Sequence, residues 1–178
     1  MRDNIQVPYG YEPPAEASKG TLIYYDSFED TTEEDLEAAA ALKKQMGFRK
    51  LVLYPLHEAT GKRMFDQPIS PYYKREDRLH EWRREQADPT IVVEGLEGKR
   101  KKYTPFESAM RHLTETYPSP YFVYVTPEMA NLLASYATFE EWIVKLRLIL
   151  SEEPSAAQLH PRLQKFAHRW RVAEFDEI

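Results

Sequence analysis

Six carboxylates stand close together near the start of the chain. They are Asp26, Glu29, Asp30, Glu33, Glu34 and Asp35. Carboxylate oxygens are the hard ligands that Mg²⁺ and Ca²⁺ require, so one interpretation is a metal-dependent phosphoesterase. No histidine is paired with these acids in the sequence to assist that chemistry. Acids are also common in the first turn of a helix, where they interact favourably with the helix dipole. We therefore predict a solvated helix start here and no metal site.

A second group of candidate residues is cationic. His57 follows a short apolar run, and Lys62 and Arg63 come shortly after it. If the run is a β-strand, His57 lies at its carboxyl end, where open α/β sheets bind their ligands. We predict that these three side chains contact a phosphate group; the other interpretation of His57 is a solvated or hydrogen-bonded loop residue. The remaining histidines lack metal-ligand spacing and are interpreted as surface or packing residues: His80, His112, His160 and His168.

Charge and composition exclude several classes of function. The net charge of −5, from 29 acids and 24 bases, argues against general affinity for nucleic acids. The strongest basic run, 99–102, is interpreted as a solvated loop or as a contact for an anionic ligand. The chain has no cysteine, which excludes thiol chemistry. No apolar run approaches the roughly 20 residues of a membrane span, and the chain starts with polar residues, so we expect a cytoplasmic protein that does not enter membranes.

Hydrophobic patterning indicates the elements that position these side chains. Residues 21–25 and 50–54 are β-branched and aromatic, which predicts strands, and a helical pattern that ends at Gly47 lies between them. This β-α-β unit implies parallel strands with a right-handed crossover. Further strands are predicted at 90–93, 121–125 and 146–150, each after a candidate helix. The predicted fold class is therefore α/β, a three-layer Rossmann-like fold with about five mainly parallel strands and helices on both faces.

Proline and threonine mark the starts of four further helices. These helices are predicted over 72–86, over 105–117, over 127–135 and from residue 138. At two of the starts, Thr104 and Thr138 are predicted to cap the helix with their side chains. Glu107 and Glu141 are predicted to complete a capping box by accepting the backbone N–H of the threonine three residues earlier.

The two ends of the chain differ in character. Residues 1–19 lack periodicity and are predicted to be an irregular N-terminal arm, whereas 20–178 are predicted to form a single domain. Residues 158–171 show the pattern of an amphipathic helix with Trp170 on its apolar side. Such a helix would either cover the sheet edge after Leu150 or pair two subunits into a homo-oligomer.

Several segments match a known family in order and spacing. Residues 25–35 occupy the place of the motif G-G-T-F-D-P-x-H-x-G-H, and residues 46–55 occupy the place of a strand that ends in V-P. Two dipeptides match the family's R-L and Y-T pairs, namely Arg78-Leu79 and Tyr103-Thr104. Residues 124–132 match I-G-A-D-x-L-x-N-L, and residues 136–142 match W-x-x-W-E-E-L. Over most of residues 20–150 the chain thus resembles the nicotinate-nucleotide adenylyltransferases of the HIGH-type nucleotidylyltransferase superfamily.

The resemblance implies a set of ligand contacts. In the family, backbone N–H groups at the helix start receive nucleotide phosphates, and two imidazoles stabilise charge on the transferring phosphoryl group. The implied ligand-binding residues here are Asp26, Ser27, Phe28, His57, Lys62, Arg63, Tyr103 and Thr104, with Tyr136 and Phe139 beside a flat ring.

The same comparison shows where the chain departs from the family. Thr32 stands at the first histidine position, Glu34 at the glycine position and Asp35 at the second histidine position. The acids would repel a triphosphate. The C-terminal segment I-S-S-T-x-x-R, which completes the ATP site in the family, is replaced by 151–157.

We therefore expect a nucleotidylyltransferase-like protein that has lost catalysis and binds a mononucleotide-type ligand or a protein partner. The alternative is an active nicotinate- or nicotinamide-nucleotide adenylyltransferase-type enzyme of NAD biosynthesis, in which Thr32, His57, Lys62 and Arg63 handle the phosphates. ATP and Mg²⁺ belong only to this alternative.

Overall fold

The computed structural model describes residues 19–175, and its centre is one six-stranded parallel sheet. The strands are β1 (Lys19–Asp26), β2 (Phe48–Pro55), β3 (Ile91–Val93), β4 (Tyr121–Val125), β5 (Arg147–Leu150) and β6 (Trp170–Val172). Their order across the sheet is β3-β2-β1-β4-β5-β6, so the direction of winding reverses between β1 and β4. This confirms the predicted α/β Rossmann-like class.

Eight α-helices and two 3₁₀ turns connect the strands in the described part of the chain. The helices are α1 (Glu33–Met46), α2 (Glu58–Met64), α3 (Tyr72–Gln86), α4 (Leu96–Arg100), α5 (Phe106–Thr116), α6 (Pro127–Ala134), α7 (Phe139–Ile143) and α8 (Pro161–Lys165). The 3₁₀ turns are Ala156–Gln158 and Ala167–Arg169. Within the same residues, no helix is long and apolar enough to cross a membrane.

The sheet is buried on both faces, which explains the nearly continuous apolar runs of its strands. On β1, Leu22 and Tyr24 face a core cluster that includes residues of α1 and α3. The alternate residues Ile23 and Tyr25 face a second cluster, built with α5, α6 and α7. Side chains alternate along a strand, so one sequence run serves both helical layers.

The prediction of one amphipathic helix over 158–171 is wrong. The helix α8 is only five residues long, and the chain then runs into β6, which pairs with β5. Leu163 and Trp170 do pack on the core, and the indole Nε1 of Trp170 donates to the carbonyl oxygen of Leu163 at 2.7 Å. Backbone groups along β5 need partners, and β6 supplies them. The segment therefore covers the sheet edge, and subunit pairing through it stays a prediction.

The predicted capping boxes at Thr104 and Thr138 are also wrong. Thr138 has φ −81° and ψ −5°, a helical conformation, whereas a side-chain N-cap needs extended backbone. Thr104 lies one residue before the cap position of α5, is buried, and donates its N–H to Oγ1 of Thr60 at 2.9 Å. The capping box lies instead at the start of α1.

The predicted N-terminal arm lies outside the described residues except for Lys19, which begins β1. Helices α2 and α4 were not predicted from the sequence. The first two residues of the basic run 99–102 belong to α4.

Candidate functional site

A cleft of about 450 Å³ opens at the point where the strand order reverses. This is the position at which open α/β sheets bind ligands. Its walls come from the loop after β1, from the end of β4 and from the residues after β5. The charged residues among its described lining are all carboxylates: Asp26, Asp30, Asp35, Glu128 and Glu152. We name it the switch-point cleft.

The loop between β1 and α1 forms one wall of this cleft, and its conformation is held from several sides. Phe28 has a left-handed backbone, with φ 63°, and its N–H donates to Oδ1 of Asp26 at 2.8 Å. The Phe28 ring is buried against Tyr24, with ring centroids 4.8 Å apart. From α3, Arg75 donates to the carbonyl oxygen of Ser27 and Arg78 to that of Phe28. The loop is therefore a built part of the fold, and its backbone carbonyls point towards two arginines.

Burial perturbs the titrating groups in the cleft. Desolvation raises the pKa of Asp26, and the hydrogen bond from the N–H of Phe28 opposes this shift. Desolvation, reinforced by the charges of Asp35 and Glu152, raises the pKa of Tyr124 to about 12. Perturbed groups in a cleft at a switch point make this cleft the candidate binding site.

The start of α1 carries Thr32 and Asp35, which the expected resemblance places at two histidine positions. The backbone N–H of Thr32 donates to Oδ2 of Asp35 at 2.9 Å, and the N–H of Asp35 donates to Oγ1 of Thr32 at 3.1 Å. The two side chains thus complete a capping box. Glu34 lies beside them in the first turn and is exposed.

The acids of this region do not assemble into a metal centre. Among residues 19–175, no group of three or more His, Asp or Glu side chains has the arrangement to hold a metal ion. Glu29 turns away to Ser70, whose N–H and hydroxyl donate to its Oε1 at 2.9 and 2.8 Å.

The three predicted phosphate contacts after β2 are not brought into one cavity. His57 is the N-cap of α2, and its Nδ1 accepts the N–H of Ala59 at 3.0 Å. It lines a cavity of about 530 Å³ together with Lys99 and Lys101. Lys62 lines a different cavity, of about 760 Å³.

The remaining implied ligand contacts have partners within the fold. The Arg63 guanidinium lies 4.1 Å from the ring centroid of Tyr103, a cation–π contact. Phe139 is buried, with its ring edge-on to that of Phe166. Tyr136 is half-buried against the same core. Neither Tyr136 nor Phe139 is among the described residues that line the switch-point cleft, and ligand contact by them stays a prediction.

Sequence reasoning missed Glu97, a fully buried carboxylate that organises the loop after β2. It accepts the hydroxyl of Tyr54 at 2.6 Å, the N–H of His57 at 2.9 Å and the hydroxyl of Thr60 at 2.7 Å. Desolvation raises its pKa, and these hydrogen bonds oppose the shift. No local pattern distinguishes Glu97 from the surrounding charged residues.

Arg75 was also missed, although the sequence carries a signal for it. It is buried on the same stripe of α3 as Tyr72, Leu79 and Trp82, at helical spacing. A charged residue on an apolar stripe is buried only with partners.

The fold is that of a Rossmann-like α/β protein with a cleft at its switch point. Comparison with protein-family models finds no match for this chain, and comparison with curated proteins finds none either.

Proposed function

We propose that this chain is a nucleotidylyltransferase-like protein that has lost adenylyl transfer and acts by binding. The observation that carries the proposal is the capping box at the start of α1. Thr32 and Asp35 stand where the family has its two imidazoles, and here their side chains satisfy the backbone of the helix. A threonine and a carboxylate used in this way supply no positive charge to a transferring phosphoryl group.

The charge of the cleft supports the same conclusion. Five carboxylates line it, and its described lining contains no Lys, Arg or His. Two like charges about 4 Å apart repel by about 1 kcal/mol in water and by about 4 kcal/mol at the effective dielectric constant of a protein surface. A triphosphate placed here would meet several such charges without compensation.

The cleft instead suits a ligand rich in hydrogen-bond donors, because carboxylates accept hydrogen bonds from hydroxyl and amino groups. Within the class that the family resemblance implies, this is a mononucleotide-type ligand held through its ribose hydroxyls, with its phosphate outside. If no nucleotide binds in the experiment below, the other candidate is a protein partner that inserts a cationic side chain.

The test combines binding with turnover. Thermal shift and calorimetry would compare ATP with Mg²⁺, nicotinate mononucleotide, nicotinamide mononucleotide and NAD, since a ligand of the native state raises its stability. We expect a mononucleotide to bind more tightly than ATP, and Glu152→Gln and Asp30→Asn to weaken the complex. Binding of ATP that equals or exceeds that of the mononucleotides would overturn the assignment.

Pyrophosphate release from ATP and nicotinate mononucleotide provides the second arm. We expect none from the wild type. The matched variant is the double substitution Glu34→Gly and Asp35→His, which restores two motif positions; its folding is checked by its melting temperature. Measurable wild-type turnover that equals or exceeds that of the restored protein would show that catalysis has not been lost.

A further inference from the structure

A cavity of about 270 Å³ lies at the opposite end of the strands from the switch-point cleft. Arg147 is the first residue of β5, and Trp170 and Arg171 begin β6, so the cavity faces the amino ends of these strands. The lining also includes Phe122, His168 and Arg169. We name it the arginine groove.

The positive charge of this groove is not neutralised from within. In the described part of the chain, no carboxylate lies within 4 Å of Arg147, Arg169 or Arg171, whereas Arg111 and Arg162 each have such a partner. Among residues 19–175, no acidic residue lines the groove. Three guanidiniums without a carboxylate partner among the described residues therefore gather in one groove of a chain whose net charge is −5.

Each guanidinium has a distinct environment. Arg169 is anchored, because it donates to the carbonyl oxygens of Ile143, Val144 and Leu146 at 2.8, 3.3 and 3.0 Å. Burial lowers the pKa of Arg169, and the charge of Arg147 lowers it further, as expected where like charges approach each other. Arg147 and Arg171 are exposed. Nη2 of Arg171 donates to Sδ of Met46, a weak acceptor, at 3.2 Å, and the other N–H groups of the two side chains can donate to a ligand.

The floor of the groove is the ring of Phe122, and this ring is fixed. Phe122 stands beside Arg147 across the β4–β5 pair and packs edge-on against Phe48, with centroids 5.0 Å apart. Trp170 pairs with Leu148 and packs with it on the other face of the sheet, where its Nε1–H donates to the carbonyl oxygen of Leu163. A flat or apolar group can rest on Phe122 without displacing its ring.

We infer that the arginine groove binds a small organic phosphate, with the phosphate at Arg147 and Arg171 and the apolar part over Phe122. Arginine forks match phosphate oxygens in bidentate geometry, which suits exposed guanidiniums. The cavity volume is slightly below the range of about 300–1,000 Å³ for small-molecule pockets, which favours a small ligand over a peptide. The inference does not rest on the proposed function, because the groove and the switch-point cleft share no lining residue.

Phenyl phosphate is the probe for the experiment, and its affinity is measured by calorimetry against inorganic phosphate, benzyl alcohol and an oligoglutamate peptide. We expect phenyl phosphate to bind most tightly, with an affinity that falls as salt is added. The double variant Arg147→Gln with Arg171→Gln should bind about tenfold more weakly or worse, since hydrogen bonds to charged groups are lost. The variant with lysine at both positions should lie between the two.

The controls separate this site from the cleft. Arg111→Gln removes an exposed arginine of α5 that is paired with Glu107, and it should leave the affinity unchanged. Glu152→Gln, in the switch-point cleft, should also leave it unchanged. Equal affinity of wild type and the arginine double variant would overturn the inference, as would tighter binding of the oligoglutamate peptide than of phenyl phosphate. Arg147 and Arg171 are exposed, so these variants are expected to fold, and their melting temperatures check this.

Discussion

The guanidinium of Arg75 donates a hydrogen bond from Nη1 to the carbonyl oxygen of Ser27, 48 residues earlier, at 2.7 Å. The same nitrogen donates to the carbonyl oxygen of Leu56 at 2.5 Å, and Nε donates to that of Ser70 at 3.0 Å. One buried side chain of α3 therefore ties together the loops that follow β1 and β2. These loops form one side of the region where the carboxyl ends of the strands meet, so Arg75 positions the wall of the switch-point cleft without entering it.

Replacing Arg75 by methionine should destabilise the protein by about 3–5 kcal/mol. The apolar stem is kept, but buried carbonyl oxygens lose their donors and nearby carboxylates lose their counter-charge. Urea unfolding measures the change. Arg84→Met is the matched control, because Arg84 is exposed near the end of the same helix, and we expect a change within about 0.5 kcal/mol. Similar losses in both variants would contradict this role for Arg75.

Glu97→Gln should change how stability depends on pH. Burial raises the pKa of Glu97 above its ordinary value of 4.5, so the folded state keeps this proton to higher pH than the unfolded chain does. The contribution of this proton to stability is complete below the unfolded pKa and is lost as pH rises through the folded pKa. Glutamine stays neutral throughout. Wild-type stability relative to Glu97→Gln should therefore fall as pH rises above 4.5, measured by urea unfolding at successive pH values.

A flat difference, or one that moves in favour of the wild type with rising pH, would contradict the prediction for Glu97. Groups that titrate elsewhere are common to both proteins and cancel in the comparison. Glutamine is suitable because its oxygen still accepts from His57 and Thr60, while its amide group donates to the hydroxyl oxygen of Tyr54.

The capping box at the start of α1 should be measurable as a coupled pair. Thr32→Ala and Asp35→Ala should each destabilise the protein by about 1 kcal/mol, because each leaves one backbone N–H of the first turn without its partner. The double variant should lose less than the sum of the two, since the two hydrogen bonds position each other. Glu37→Ala, an exposed change one turn further along α1, is the control and should have little effect. Strict additivity would show that the two hydrogen bonds act independently.

Gly20→Ala should destabilise the protein by about 2 kcal/mol or more. Gly20 has φ 67°, which disfavours any side chain, and an added Cβ would meet the carbonyl oxygen of Pro120. That oxygen accepts the N–H of Thr21 at 2.9 Å and cannot move away freely. Gly95→Ala is the control, because its φ is −98° and the nearest atom to an added Cβ is 3.7 Å away. Thermal unfolding should show a large fall for the first variant and a small one for the second.

The order of the main elements followed from local patterns. The five strands from β1 to β5 were predicted within a few residues because each is an apolar run whose burial depends little on its neighbours. Helix α1 was predicted from apolar residues at helical spacing, and α3, α5 and α6 were predicted from proline at their starts. The three-residue strand β6 was missed because only its pairing with β5 makes it a strand.

The candidate site was less accessible to the same reasoning. The cluster of acids was recognised as a helix start, but its Thr32–Asp35 capping box was recognised only in the structure. Capping was expected at Thr138, where the sequence pattern is equally good, and the backbone there is already helical. Residue types permit a cap, but the backbone angle at the cap residue decides whether it forms.

The sequence by itself determined the alternation of strands and helices, the parallel sheet and the excess of acid near the end of β1, because hydrophobic periodicity and composition are properties of short segments. Only the tertiary structure decided which charges meet. Arg75 reaches carbonyl oxygens of two other loops, Glu97 collects donors from β2 and α2, and Arg147 and Arg171 come together across neighbouring strands. Such partners are far apart in the chain, and their distances are set by the packing of whole elements.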